Sequence, residues 1–285
     1  MRAVRLDAWQ RLRRLLGGRP GWLALAALLA YALLAAAVQL GASLGGQGPD
    51  PVWAAARARG TLRVAVDFGY YPFSALRGGQ PIGYDIDLAT AVAAKLGLRA
   101  EFVAGNLDSI YDDLAAHKAD LAASALPYAP EQGWRAGFST FYFNAGQVLV
   151  VPSGSPIDGQ ADLAGKRLAV PLGSDADTFA RRLAAGDASI RVDAAYDTPA
   201  AALASLRAGR ADAAIVDNAA ALIDLGHAPG LKTVGPALTL EPYALAMPAE
   251  AYQLRDAVNR ALEDLRGEGF FEQNGARWFV AAPAE

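Results

Sequence analysis

Leu62, Val64 and Val66 fall on one side of a period-two pattern interrupted by Arg63, which predicts a short buried strand over residues 62–66. The pattern breaks at Asp67. Phe68, Tyr70, Tyr71 and Phe73 then place four rings beside one carboxylate, in a loop at the strand's C-terminal end. In open α/β sheets, ligands sit outside that end of the strands. Gly78-Gly79 predicts a tight turn, and from Asp85 the period lengthens to that of a helix. Ile86, Ala89, Val92, Ala93 and Leu96 form one apolar stripe, Asp85 is the expected N-cap, Asp87 suits the first turn, and Gly97 ends the helix.

The same reading places strands at residues 99–103 and 120–125 with a helix at 110–117 between them. A turn-rich loop precedes residues 138–142, and residues 147–151 form a strongly β-branched strand. Residues 153–239 repeat the theme, with strands at 167–170 and 211–217 and helices at 177–185 and 199–208. Tyr196-Asp197-Thr198 is expected to cap the last of these, with Pro199 suited to its first turn. A strand at 243–247, an amphipathic helix at 250–266 and an aromatic segment over 270–279 close the chain. Strands alternating with helices predict mainly parallel sheets.

The N-terminus follows a different pattern. Arg2, Arg5, Arg11, Arg13, Arg14 and Arg19 precede a stretch from Pro20 to Pro49 that carries no charge. Dense Leu and Ala from Trp22 to Val38 make it a retained single-span anchor, or a secretory signal cut near Ala35-Ala36-Ala37. Either way the arginines stay cytoplasmic and the body is exported. Gly45 to Pro51 reads as a linker, and residues 53–59 as a short helix.

Charge and cysteine narrow the possibilities. Without those six arginines and Asp7, the 26 Lys+Arg and 29 Asp+Glu fall to 20 and 28, a net −8 over residues 21–285. Such a body is a poor nucleic-acid binder, because phosphate contacts need a basic face. The absence of cysteine excludes disulfides, thiol nucleophiles and a lipidated cysteine. His117 and His227 have no metal-ligand or catalytic-triad companion by spacing, so no metal and no cofactor is expected.

The G-x-L-R-V strand at Gly60, the Y-x-P-F loop ending at Phe73, and Gly83-Tyr84-Asp85-Ile86-Asp87-Leu88-Ala89 together resemble the family 3 extracytoplasmic solute-binding proteins, the amino-acid receptors of ABC importers. The resemblance covers about residues 60–280. It implies an α/β, two-lobed periplasmic-binding-protein-like fold of type II, each lobe a mainly parallel sheet with flanking helices. Lobe 1 would comprise residues 60–148 plus 240–281, lobe 2 residues 149–239, and residues 1–49 the N-terminal segment and linker. The implied partners are a small polar solute, an ABC permease and, through the N-terminal segment, the membrane.

The family's pocket devices transfer unevenly. Asp67, Tyr70 and Phe73 fall on first-loop positions, with Tyr70 read as pocket, Phe73 as core before pocket, and Asp67 also readable as a turn cap; Leu107 stands where an aromatic is common, and Ser124 joins the expected pocket. Gly209 to Asp217 matches the strand whose terminal aspartate binds the α-amino group, and Asp217 is also a candidate helix N-cap. The carboxylate clamp is missing. Where the family has T-P-E-R this chain has Ala129-Pro130-Glu131-Gln132, and the threonine expected after Gly173-Ser174 is Asp175. Arg135 reads first as a solvated loop arginine and second as a substitute cation, Gln132 can still donate a neutral hydrogen bond, and the Gly173 and Ser174 amides remain at a helix start. Asp67, Asp175, Asp177 and Asp217 favour an amine-bearing ligand. Two other readings compete: a cyclohexadienyl-dehydratase-like enzyme, which needs a general acid and a cation for carboxylates, and a membrane-tethered sensor that signals through a separate protein.

Overall fold

The computed structural model describes residues 30–32 and 50–280. The N-terminal anchor or signal therefore lies outside the described residues, apart from residues 30–32, which are helical and exposed. No helix among the described residues is long and apolar enough to cross a membrane.

Asp50 opens the body. Its side chain accepts from the Trp53 N–H at 2.9 Å and caps α1 (Pro51–Arg59), with Pro51 in the first turn. Asp50 and Pro51 thus belong to a helix start rather than to a linker. The other Asp50 oxygen accepts from the N–H groups of Gln253 and Leu254, at 2.9 and 3.0 Å, at the start of α7 (Tyr252–Gly267). One buried carboxylate therefore serves the exposed donors of two helices far apart in sequence.

The first sheet is built from β1 (Thr61–Val66), β5 (Arg99–Ala104), β6 (Leu121–Ala122), β7 (Ala136–Asn144) and β13 (Pro242–Pro248), in the order β5-β1-β6-β13-β7. β5, β1 and β6 run parallel, and β13 is antiparallel to both its neighbours. The second sheet has the order β10-β9-β11-β8-β12, from β8 (Gln147–Pro152), β9 (Arg167–Pro171), β10 (Arg191–Tyr196), β11 (Ala213–Asp217) and β12 (Leu231–Val234). β10, β9 and β11 are parallel, β8 is antiparallel to β11, and β12 is antiparallel to β8. A small antiparallel sheet of β2 (Gly69–Tyr70), β3 (Ser74–Arg77) and β4 (Gln80–Ile82) carries the first loop, and Gly78-Gly79, both at positive φ, makes its turn. The third strand of the first sheet is shorter than the sequence pattern suggests, and β10 and β12 carried no clear pattern of their own.

The two sheets repeat one device. In the first, Asp120 accepts from the Arg63 N–H and from its guanidinium, which also reaches the His117 carbonyl. In the second, Asp212 accepts from the Arg167 N–H and guanidinium, which also reaches the Gly209 carbonyl. Each pins the end of a first strand to the turn before a third.

α2 (Tyr84–Lys95) shows how the opening motif works. Gly83, not Asp85, is the N-cap, at φ 138°. A Cβ there would lie 2.1 Å from the Phe73 carbonyl oxygen, so only glycine lets the loop and helix touch. Asp85 instead lies fully buried, accepting from the Ala125 N–H at 2.5 Å, with Ala125 held at φ 47°. Burial pushes the Asp85 carboxyl up to about 7, against the pull of the Ala125 N–H and the Tyr142 hydroxyl. The helix ends as the pattern implies, with Gly97 at φ 71° and the Leu98 N–H returning to the Ala93 carbonyl.

The chain passes between the sheets twice, at Ala145-Gly146 and over residues 235–241. The first passage is made by those two residues and not by β8, which pairs wholly within the second sheet. The passages are bonded together. The Ala145 N–H donates to the Glu241 carbonyl at 2.9 Å, the Gln147 N–H to Thr239 Oγ1 at 2.7 Å, and the Glu241 N–H to Asn144 Oδ1 at 2.9 Å. A Cβ on Gly146 would lie 2.1 Å from the Thr239 carbonyl oxygen, so glycine is what allows this approach.

Candidate functional site

A cleft of about 490 Å³ lies where the second sheet's strand ends meet the first loop and the two passages. Strand topology brings its polar groups together. Asp217 ends β11 and is the direct cross-strand partner of Gln147, the first residue of β8. The segment after β9 supplies Gly173, Ser174 and Asp175, and Asp197 follows β10. The Leu172 N–H to Tyr196 carbonyl bond, 2.8 Å, holds those last two segments side by side. Tyr70, Tyr243 and Glu241 close the cleft from the first loop and the second passage.

Four carboxylates line this cleft, from Asp175, Asp197, Asp217 and Glu241, and no lysine or arginine does. Asp217 Oδ1 accepts from the Ala220 N–H at 2.8 Å, capping α6 (Asn218–His227), so the cap and the cleft position coexist in one side chain. Glu241 Oε1 accepts from Thr239 Oγ1. Among the described residues, no three acidic or histidine side chains converge on a metal-binding position.

The first loop divides by depth. Tyr70 lines the cleft and stacks on Phe73, with centroids 5.4 Å apart. Phe73 is fully buried among Tyr84, Phe143, Tyr243 and Phe279, whose rings meet it edge-on at 5.2–5.8 Å. It is core, the floor beneath Tyr70, and lies outside the cleft lining. Burial, with Tyr70 next to it, pushes the Tyr243 hydroxyl well above the ordinary tyrosine range, so it stays protonated and able to donate. Asp67 is engaged in the loop: Oδ1 accepts from the Gly69 N–H, Oδ2 from the Leu107 N–H, and its own N–H donates to Ser124 Oγ. Asp67, Leu107 and Ser124 thus form one braced turn beside the cleft, outside its lining.

The anion-binding devices are occupied. The Gly173 N–H donates to Asp177 Oδ2 at 3.1 Å, and Ser174 Oγ donates to the Pro171 carbonyl while accepting from the Asp177 N–H. Asp177, itself paired with Arg181, therefore fills the start of α4 (Asp175–Gly186) from within. Arg135 pairs with Asp112 and lies over the Tyr111 and Trp134 rings, away from the cleft lining. Gln132, in the short 3-10 turn Pro130–Gln132, is likewise not in the lining. Neither stands where a substrate carboxylate would meet it in this arrangement.

Gln147, Asp197, Glu241 and Tyr243 were not singled out from the sequence as cleft residues; Asp197 was read only as part of a helix cap, which Thr198 supplies. Asp197 and Glu241 each follow or precede a strand at a turn, a signal that marks many solvated carboxylates equally well.

Two mixed sheets joined by two passages, with a polar cleft at the strand ends, define a two-lobed α/β binding protein. The chain belongs to the bacterial extracellular solute-binding proteins, family 3, whose model matches residues 62–281. It is 29% identical over 230 residues to the lysine/arginine/ornithine-binding periplasmic protein of Escherichia coli, covering 77% of this chain and 87% of that one. Among solved structures, it is similar to the L-cystine solute receptor of Neisseria gonorrhoeae in its unliganded open conformation (27% identity, TM-score 0.69, 78% of this chain and 95% of that one). It is also similar to an ancestral cyclohexadienyl dehydratase (28% identity, TM-score 0.68, 80% and 95%).

Proposed function

We propose that this protein is the extracytoplasmic receptor of an ABC importer, closing its two lobes on a small amine-bearing solute and presenting it to a permease. The lobes are residues 50–144 with 242–280, and residues 147–234, moving about the two passages. The N-terminal segment exports the body and holds it at the membrane unless cut. The carrying observation is the cleft lined by four carboxylates and no cation. A positive ligand gains there from every charged neighbour, whereas an anion is opposed by all of them. Asp217 receives the ammonium, with the Tyr70 ring covering it.

The enzyme reading finds no support in the same cleft, which offers no cation to a carboxylate-bearing substrate. Membership in a family whose named relatives are binding proteins supports the receptor reading further.

The test is Asp217→Asn on the full chain in non-ionic detergent, titrated calorimetrically with a panel of amines and amino acids. Asparagine keeps an oxygen for the Ala220 N–H, so α6 stays capped while the charge is lost. Binding should fall about tenfold or more, with unfolding temperature nearly unchanged. Equal affinity in both proteins refutes the assignment of Asp217. Conversion of any panel compound refutes the receptor reading.

A further inference from the structure

We infer that the solute is a compact organic dication without a carboxylate, a diamine or an aminoalkylguanidine, spanning two cation subsites across the strand ends of the second sheet. This rests on the reading of the cleft as a solute site and adds a second subsite to it.

The first subsite is Asp217 with Gln147. Gln147 is 4% exposed and lines the cleft, yet its side-chain oxygen is buried without a donor. Its backbone is already satisfied, the N–H on Thr239 Oγ1 and the carbonyl accepting from Leu238. A buried amide oxygen beside a carboxylate lacks an N–H donor, and a ligand ammonium supplies one.

The second subsite is Asp175 with Asp197. Neither carboxylate makes a hydrogen bond or ion pair among the described residues, although Asp177, two positions from Asp175, makes several. Strand order sets the span. Asp197 follows β10 and Asp217 ends β11, with β9 between them. At about 4.8 Å per strand Asp197 stands roughly 10 Å from Asp217, with Asp175, which follows β9, between them, a span a short diamine bridges with one ammonium at each end. A single metal ion cannot serve both ends, and no three of these groups converge on one point.

A carboxylate on the ligand has nowhere to go. The Gly173 amide is taken by Asp177 and Arg135 by Asp112. Decarboxylation of a basic amino acid removes the group the cleft repels and keeps both groups it attracts.

The experiment is calorimetric titration of the full chain in non-ionic detergent with cadaverine, agmatine, lysine, arginine, butylamine and calcium chloride. Cadaverine should bind about tenfold or more tighter than lysine and than butylamine, and agmatine tighter than arginine by a similar factor. The double variant Asp175→Asn, Asp197→Asn should erase the preference for cadaverine over butylamine. Both residues are exposed and unpaired, so the variant should fold. Lysine or arginine binding as tightly as its decarboxylated partner overturns this inference while leaving the solute-receptor reading intact. Calcium binding tighter than the diamines also overturns it. Failure of every organic compound to bind overturns both.

Discussion

Replacing Asp85 by asparagine isolates the cost of a buried carboxylate that ties the first loop's helix to the Ser124-Ala125 turn. The Asp85 carboxyl is raised from an ordinary 3.8 to about 7, chiefly by burial. The folded protein therefore holds this proton more tightly than the unfolded chain does. Below about pH 4 the group is protonated in both states and costs nothing. Between about pH 4 and pH 7 stability falls as pH rises, and above pH 7 the full cost of a buried anion is present. At about 1.4 kcal/mol per pH unit, the displacement corresponds to about 4 kcal/mol. Asparagine keeps an acceptor for the Ala125 N–H and is neutral throughout. The assay is urea unfolding of both proteins across pH 4–9, taken as a difference, so that the other titrating groups cancel. The stability of Asp85→Asn relative to the parent should rise across that range by a few kcal/mol, levelling off above pH 8. A flat difference, or one that falls with pH, would refute the reasoning, because a falling curve means the ionised carboxylate is stabilised where it lies.

Two further substitutions test the scaffold. Asp50→Ala leaves the N–H groups of Trp53, Gln253 and Leu254 without their acceptor, and at about 1–2 kcal/mol per lost cap the cost should be about 2–4 kcal/mol; an unchanged urea midpoint would show that neither helix depends on it. Gly146→Ala forces a Cβ against the Thr239 carbonyl and should part the two passages, lowering stability by about 1–3 kcal/mol. An unaltered unfolding temperature, together with unaltered small-angle scattering, would show that the passages already have room.

Local chemistry was legible in the chain itself. The break of period at Asp67, the Gly78-Gly79 turn, the stripe from Ile86 to Leu96 and the stop at Gly97 follow from neighbours in sequence, where spacing alone decides which side chains share a face. The family was legible for the same reason, since its motifs are short and contiguous. What the sequence could not determine was which of many carboxylates meet. Asp85 looks like a cap locally; only the approach of Ala125, forty positions away, makes it a buried acid. Asp50 looks like linker until α7 folds back onto it. Asp177 lies in the first turn of its helix, and only the loop geometry turns its oxygen onto the Gly173 amide. Gln147 and Asp217 become neighbours because β8 pairs antiparallel to β11, and Asp197 joins them because β9 lies between β10 and β11. Strand order is set by long-range packing, which no local pattern encodes, and it is strand order that assembles the cleft.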